Sequence, residues 1–312
     1  MKLTAIKELF NTNKITKAEF IDRMYAVHET LADYRSFLTS SGISKIEVTG
    51  GQIIFTSAAS HYHNGGLRFF CDIEDKRTTP LEALNFGNYE AEDSEMMYKL
   101  IQNHFTVFDI GSNIGWYTNH IAALLTKGTM YAFEPIPETY TKLVNNVGLN
   151  RFTNIRLQNL ALSDKKETLT FYYSPFMSGA SSSQNITGNE AAIQVNCTTS
   201  TLDAFVTQHE IAAVDFIKCD VEGAELFVFK GALDTIRKFT PVVFSEMLRK
   251  WAAKFGYHPN DIINLFKDCG YDCFIAREGR LVQFSIVDEA TAATNFFFLH
   301  PEKHAASIAS FA

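Results

Sequence analysis

Three short stretches hold the residues able to do chemistry. In "VFDIGSNIGWYT" an apolar run ends near Asp109, breaks into Gly111, Ser112, Asn113 and Gly115, and then turns helical in pattern. Glycines at such a turn let backbone approach a ligand with no Cβ in the way. The helix that follows offers unpaired N–H groups to a carboxylate or phosphate. Asp109, at the strand tip, could take hydrogen bonds or a cation. The next strand ends in "AFEP", which places Glu134 and Pro135 just over twenty residues beyond Gly111. An acid at that strand end can accept both hydroxyls of a ribose. The spacing D-x-G-x-x-x-G lacks the middle glycine of a dinucleotide fingerprint, and Ser112 and Asn113 would crowd a pyrophosphate. An adenosine-type ligand without a pyrophosphate fits best, so S-adenosylmethionine is favoured over NAD.

The second stretch is "NLALSD", where Ala161 and Leu162 could lie against an adenine ring or equally be core. The third is "FIKCDVEGAE". A strand over 214–219 delivers Asp220 to the same rim as Asp109, with Glu222 and Glu225 in the turn that follows. A helix N-terminus stabilises acids, which alone could explain Glu222 or Glu225. It explains Asp220 less well. The neighbouring strand "PVVFSEM" adds Glu246. Carboxylates from adjacent strand ends can act as a general base or hold a divalent cation. Asp220, Glu222 and Glu246 are the catalytic candidates. Magnesium bridging Asp220 and Glu246 is the less favoured arrangement, and no metal ligands are assigned.

These residues need a parallel sheet to bring them to one edge. From about residue 104 the pattern alternates: strand 105–110, helix 115–126, strand 129–134, helix 137–149, strand 154–162, helix 201–208, strand 214–221, helix 223–237, strand 241–247, helix 259–268. Further strand signals follow at "YDCFIA", "RLVQFSI" and "NFFFLH". Strands separated by helix-length segments imply helices on both faces of a mostly parallel sheet. "ETLTFYYS" and "AIQVNCTTS" look like a two-stranded excursion around a Ser/Gly/Asn-rich loop. Upstream, residues 1–40 have helical spacing, and "KIEVTGGQIIFTS" is a hairpin signal around Gly50 and Gly51.

Composition excludes several classes. The 312 residues are 46% hydrophobic and 20% charged, as in an ordinary globular chain. The net charge of −7, with no dense Lys/Arg block, argues against nucleic acid as partner. Five scattered cysteines form no C-x-x-C pair, so reduced thiols in a cytoplasmic protein are expected. No run approaches the ~18 apolar residues of a membrane span, and no membrane partner is expected.

"VFDIGSNIGWYT", "AFEP", "NLALSD" and above all "IKCDVEGAE" together resemble the FkbM family of S-adenosylmethionine-dependent methyltransferases, as does "GNYEAEDSEMMYKLI" upstream. The likeness spans about residues 85–300. It implies a Rossmann-like, seven-stranded class I methyltransferase sheet, mostly parallel with the last strand antiparallel, over residues 86–312. Residues 1–85 would be an α+β extension serving as lid, collar or homodimer surface. The resemblance implies methyl transfer to an oxygen of a small-molecule, sugar or polyketide-type acceptor. Asp109, Gly111, Asn113 and Gly115 would surround the methionine part of the cofactor, Glu134 would hold the ribose, and Asp220 and Glu222 would face the transfer site.

Histidine is the other common base, and His61, His63, His120 and His258 are available. Phe86, Tyr89, Trp116 and Tyr117 lie next to these motifs and could wall the cofactor or acceptor. A nucleotide-dependent oxidoreductase and a non-catalytic binding protein on the same scaffold are the alternatives. The missing central glycine counts against the first, and the joint presence of Asp220, Glu222 and Glu246 against the second.

Overall fold

The computed structural model describes residues 2–59, 65–177, 179, 181–188 and 190–312. The chain opens with helices α1 (Leu3–Asn11), α2 (Lys17–His28) and α3 (Thr30–Phe37), followed by strands β1 (Ile43–Thr49), β2 (Gln52–Ser57) and β3 (Arg68–Phe70). β1 and β2 form the expected antiparallel hairpin, and β3 pairs with β2 as an edge. Helices α4 (Thr79–Phe86) and α5 (Ala91–Leu100) lead into the main sheet.

That sheet begins with β4 (Thr106–Ile110), α6 (Trp116–Leu124), β5 (Thr129–Phe133), α7 (Pro137–Asn150) and β6 (Ile155–Gln158). A small second sheet interrupts it, made of β7 (Ala161–Leu162), β8 (Thr168–Tyr173) and β9 (Ile193–Ser200). The main sheet resumes through α8 (Leu202–Gln208), β10 (Phe216–Cys219), α9 (Glu225–Lys230), α10 (Leu233–Phe239) and β11 (Val242–Glu246). It ends with α11 (Arg249–Ala252), α12 (Pro259–Asp268), β12 (Asp272–Arg277), β13 (Arg280–Phe284), β14 (Asn295–Leu299) and α13 (Ala305–Phe311).

The strand order is β13-β12-β14-β11-β10-β4-β5-β6. β11, β10, β4, β5 and β6 run parallel, and β14 enters antiparallel to β11. The expected seven strands are present, and β13 adds an eighth by folding back on β12. Successive side chains separate cleanly between two cores. Val107, Phe216, Val242 and Phe297 face one core, with α5, α6 and the N-terminal sheet's Ile43, Phe55 and Phe69. Phe108, Ile217, Val243 and Phe298 face the other, with α8, α9, α10 and α12. A sheet covered on both faces is apolar on both, which is why these strands read as unbroken hydrophobic runs.

Two expected elements are divided. The strand expected over 154–162 stops at Gln158, because the Asn159 side-chain amide donates to the carbonyls of Glu134 and Pro135 at 2.8 and 3.0 Å. Ala161 and Leu162 then pair with Thr199 and Ser200 in the second sheet. The helix expected over 223–237 is two helices. Asp203 caps the second through the N–H groups of Asp234 and Thr235, at 3.1 and 2.7 Å. Among the described residues no helix is long and apolar enough to cross a membrane, and all five cysteines are free.

Candidate active site

The turn after β4 is built from left-handed residues: Gly111 has φ 81°, Asn113 48° and Gly115 88°. The Gly111 and Ser112 N–H groups both donate to the Phe133 carbonyl, at 3.0 and 2.9 Å, binding the turn to β5. Both glycines are required by the protein's own packing. A Cβ on Gly111 would fall 1.8 Å from the Asp220 carbonyl oxygen, and one on Gly115 2.5 Å from Leu143 Cδ1. Gly111 still presents bare backbone to a slot above the turn, whereas Gly115 faces α7. Ser112 is buried, and its hydroxyl donates to the Asp109 carbonyl at 2.8 Å.

The slot is lined by Gly111, Asn113, Glu134, Pro135, Ala161, Leu162, Asp220 and Glu222 among others. It measures about 80 Å³, and Gly179 and Ser181 form part of its wall. Glu134 is held rigidly. Its Oε2 accepts the Asn113 N–H at 3.0 Å and its Oε1 the Ile136 N–H at 2.9 Å. Burial pushes its carboxyl up to about 7. A carboxylate has about four acceptor positions, so two remain for a diol. The Asn113 Oδ1 is buried and has no hydrogen-bond partner among the described residues. Spare acceptors on an acid, an orphaned amide oxygen, bare backbone and apolar walls from Ala161 and Leu162 together suit an adenosyl group.

Asp109 lies beneath the slot, fully buried. Its Oδ2 accepts the Thr118 hydroxyl at 2.6 Å, and its Oδ1 is 3.3 Å from the Lys218 ammonium. Lys218 sits opposite Asp109 in the parallel β10–β4 register. Its Nζ also donates to the Gly111 carbonyl at 2.9 Å and lies 3.4 Å from Asp220 Oδ2. Burial alone would lower its pKa, but the charges of Asp109 and Asp220 outweigh it and raise the pKa instead. One buried cation therefore joins the Gly turn to the end of β10.

Beyond Asp220 the chain turns through Glu222, which has φ 55°. Glu225 holds this turn. Its Oε1 accepts the Val221 and Gly223 N–H groups at 3.1 and 3.0 Å, its Oε2 accepts the Tyr257 hydroxyl at 3.0 Å, and burial pushes it up to about 7. Oxygens of Asp220, Glu222 and Glu246 lie within 4.8 Å of one another. Burial, reinforced by Asp220, pushes Glu222 and Glu246 well above the usual carboxylate range. Glu222 and Glu246 open into a chamber of about 580 Å³, shared with Arg77, Tyr89, Glu90 and Trp251.

Glu90 escaped the sequence reading. Its Oε2 accepts the Tyr117 hydroxyl and its Oε1 the Asn295 amide at 3.2 Å, and it lines the same chamber as Glu246. Lys218 was also missed as a site residue, although a lysine inside the apolar run "FIKC" can be buried only if its charge is paired. Of the aromatic candidates, Phe86 and Tyr89 line the chamber, while Trp116 and Tyr117 pack beneath it. Among the described residues no histidine lines slot or chamber. His120 is buried with its Nδ1 2.8 Å from the Trp116 carbonyl, and His258 caps α12. His61 and His63 lie outside the described residues.

A five-strand parallel block flanked by an antiparallel β14, with a Gly turn and an acid at adjacent strand ends, is the S-adenosylmethionine-dependent class I methyltransferase fold. The chain belongs to the FkbM family: the Methyltransferase FkbM domain model matches residues 109–273, just over half of its length. It is 27% identical over 197 residues to the hexuronic acid methyltransferase AglP of Haloferax volcanii, covering 63% of this chain and 72% of AglP. It is 27% identical over 157 residues to the 2-O-methyltransferase NoeI of Sinorhizobium fredii, covering 45% of this chain and 62% of NoeI. Among solved structures it is similar to the FkbM methyltransferase from Methylobacillus flagellatus. That match has a TM-score of 0.41 and 16% identity, and covers 64% of this chain and 44% of that one.

Proposed function

We propose that the protein transfers the methyl group of S-adenosylmethionine to a hydroxyl of a small-molecule or carbohydrate acceptor. The observation that carries this reading is the adjacency of slot and chamber, which share Glu222 and Gly179 as walls. Glu134 would take the ribose hydroxyls, Gly111 and Asn113 the amino-acid end, and Ala161, Leu162 and Pro135 the adenine. The bound cofactor supplies an electrophilic sulfonium methyl. The chamber then orients the acceptor, and fixed orientation can be worth roughly 7–11 kcal/mol. A hydroxyl attacks well only if its proton leaves as it does so. Glu246 receives that proton, as a carboxylate that lines the acceptor chamber beside the slot. Lys218 fixes Asp220 beside it.

Two relatives act on related chemistry by their names, a hexuronic acid and a 2-O position, which supports a hydroxyl-bearing acceptor. The test is transfer of labelled methyl from S-adenosylmethionine to a panel of sugars, uronic acids and polyketide alcohols. Label in an ether-linked product, lost in Glu246→Gln, is the expected result. Transfer to carbon or nitrogen, or none to any hydroxyl, would reject the reading. The spacing of Asp220, Glu222 and Glu246 favours one competing reading, a bound divalent cation that acidifies the hydroxyl. Loss of turnover on chelation, restored by magnesium, would select it.

A further inference from the structure

We infer that Asn146 is a positioning residue through which the N-terminal sheet sets the shape of the cofactor turn; this rests on the cofactor assignment proposed above. β3 is an edge strand, and its outer edge is completed by helix side chains. The Phe70 N–H donates to Asn146 Oδ1 at 2.8 Å and the Arg68 N–H to Asn150 Oδ1 at 2.8 Å, while Asn150 Nδ2 donates back to the Arg68 carbonyl at 2.9 Å. The match is geometric. Four residues of helix rise about 6 Å and two residues of strand rise about 6.8 Å, so α7 presents two amides at the spacing of one β-strand edge.

The other ends of these amides reach the turn. Asn146 Nδ2 donates to the Ile114 carbonyl at 2.8 Å. Asn150 Nδ2 contacts Asn119 Oδ1 at 3.0 Å, and Asn119 Nδ2 donates to the Gly115 carbonyl at 2.7 Å. Asn119 and Asn146 are essentially without exposure, so water cannot replace these bonds. Phe69, between the two paired strand residues, packs against Trp116 on the helix that the turn begins, with ring centroids 4.7 Å apart.

Among the described residues Asn146 alone hydrogen-bonds to both β3 and the turn, whereas Asn150 reaches the turn through a second side chain. In this turn Asn113 holds a left-handed conformation at φ 48°, which costs energy in a non-glycine residue and persists where the surroundings fix it. The turn's last carbonyls are held by Asn146 and Asn119, and the Phe70 N–H fixes the Asn146 amide, which gives the segment before residue 85 a part in cofactor binding without touching the cofactor.

Two variants separate positioning from docking. Asn146→Asp keeps an acceptor for the Phe70 N–H but loses the donor to Ile114. Asn150→Ala loosens Arg68 and leaves Ile114 held. Asn146→Ala is carried alongside in case the buried charge of the first variant prevents folding. The readouts are S-adenosylhomocysteine affinity by calorimetry and backbone amide exchange at Asn113 and Gly115 without ligand. We expect Asn146→Asp to weaken binding about tenfold and to speed exchange in the turn, raising KM for the cofactor more than it lowers kcat. Asn150→Ala should keep near-native affinity even if its melting temperature falls further. Equal affinity in Asn146→Asp and the native protein, or equal loss in both variants, would overturn the inference. Native protein that binds no S-adenosylhomocysteine while exchange still speeds in Asn146→Asp would overturn the cofactor assignment and retain the framing of the turn.

Discussion

Replacing Lys218 with methionine should be among the most damaging single changes in this chain. The substitution preserves length and apolar packing but removes the ammonium that lies 3.3 Å from Asp109 and 3.4 Å from Asp220, and the donor to Gly111. Asp109 is fully buried, and the Thr118 hydroxyl would be the one side-chain donor left to it among the described residues. Breaking a buried pair from one side costs about 3–5 kcal/mol, because the remaining charge stays desolvated. At roughly 2 °C per kcal/mol for a chain of this size, the melting temperature should fall by about 6–10 °C. Calorimetric melting of Lys218→Met measures this directly. The double variant Lys218→Met/Asp109→Leu should recover most of the loss, since an apolar pair of similar volume replaces a buried ion pair at little cost. A drop of under about 2 °C in the single variant, or no recovery in the double, would refute the assignment of Lys218 as the buried counter-ion.

Glu134 and Glu225 are both pushed up to about 7 by burial, above the ~4.3 of an unfolded glutamate. The stability they contribute is fully present below the unfolded value and lost as pH rises through 7, so the ligand-free melting temperature should fall between pH 5 and 8. S-adenosylhomocysteine binding should run the other way, because a ribose diol donates to the ionised form; affinity at pH 6 should be about tenfold below that at pH 8. A flat titration profile would refute this role for Glu134. Glu246→Gln should lower kcat by about 10²–10⁴-fold while leaving S-adenosylhomocysteine affinity unchanged, which single-turnover kinetics beside calorimetry would separate. Gly111→Ala should fail to accumulate as folded protein at growth temperature, since its Cβ would lie 1.8 Å from the Asp220 carbonyl oxygen; near-native melting would show that the two strand ends can separate.

The local parts of this molecule could be read from its sequence, and the long-range parts could not. "VFDI", "FIKC" and "VVFSE" announce buried parallel strands because both their faces are apolar. The Gly turn announces itself by spacing, and Glu134 by its place at the end of the following strand. The functions of Lys218 and Glu90 depend on partners far away in the chain: Asp109 for the first, Tyr117 and Asn295 for the second. No periodicity encodes such pairings. The same holds for the break after Gln158, where Asn159 binds the distant Glu134 and Pro135 carbonyls, and for the break between α9 and α10, where Asp203 caps from α8. The glycines were legible as necessary but for a different reason, since neighbouring backbone and Leu143 demand them.

The central claim is that the turn after β4 and Glu134 together hold S-adenosylmethionine. Calorimetric titration of the purified protein with S-adenosylhomocysteine, beside NAD and a Glu134→Ala variant, tests it most directly. The account predicts saturable one-to-one binding of S-adenosylhomocysteine that is lost in the variant, with no heat from NAD. Well-folded protein that takes up NAD instead, or binds S-adenosylhomocysteine equally well without Glu134, would contradict it.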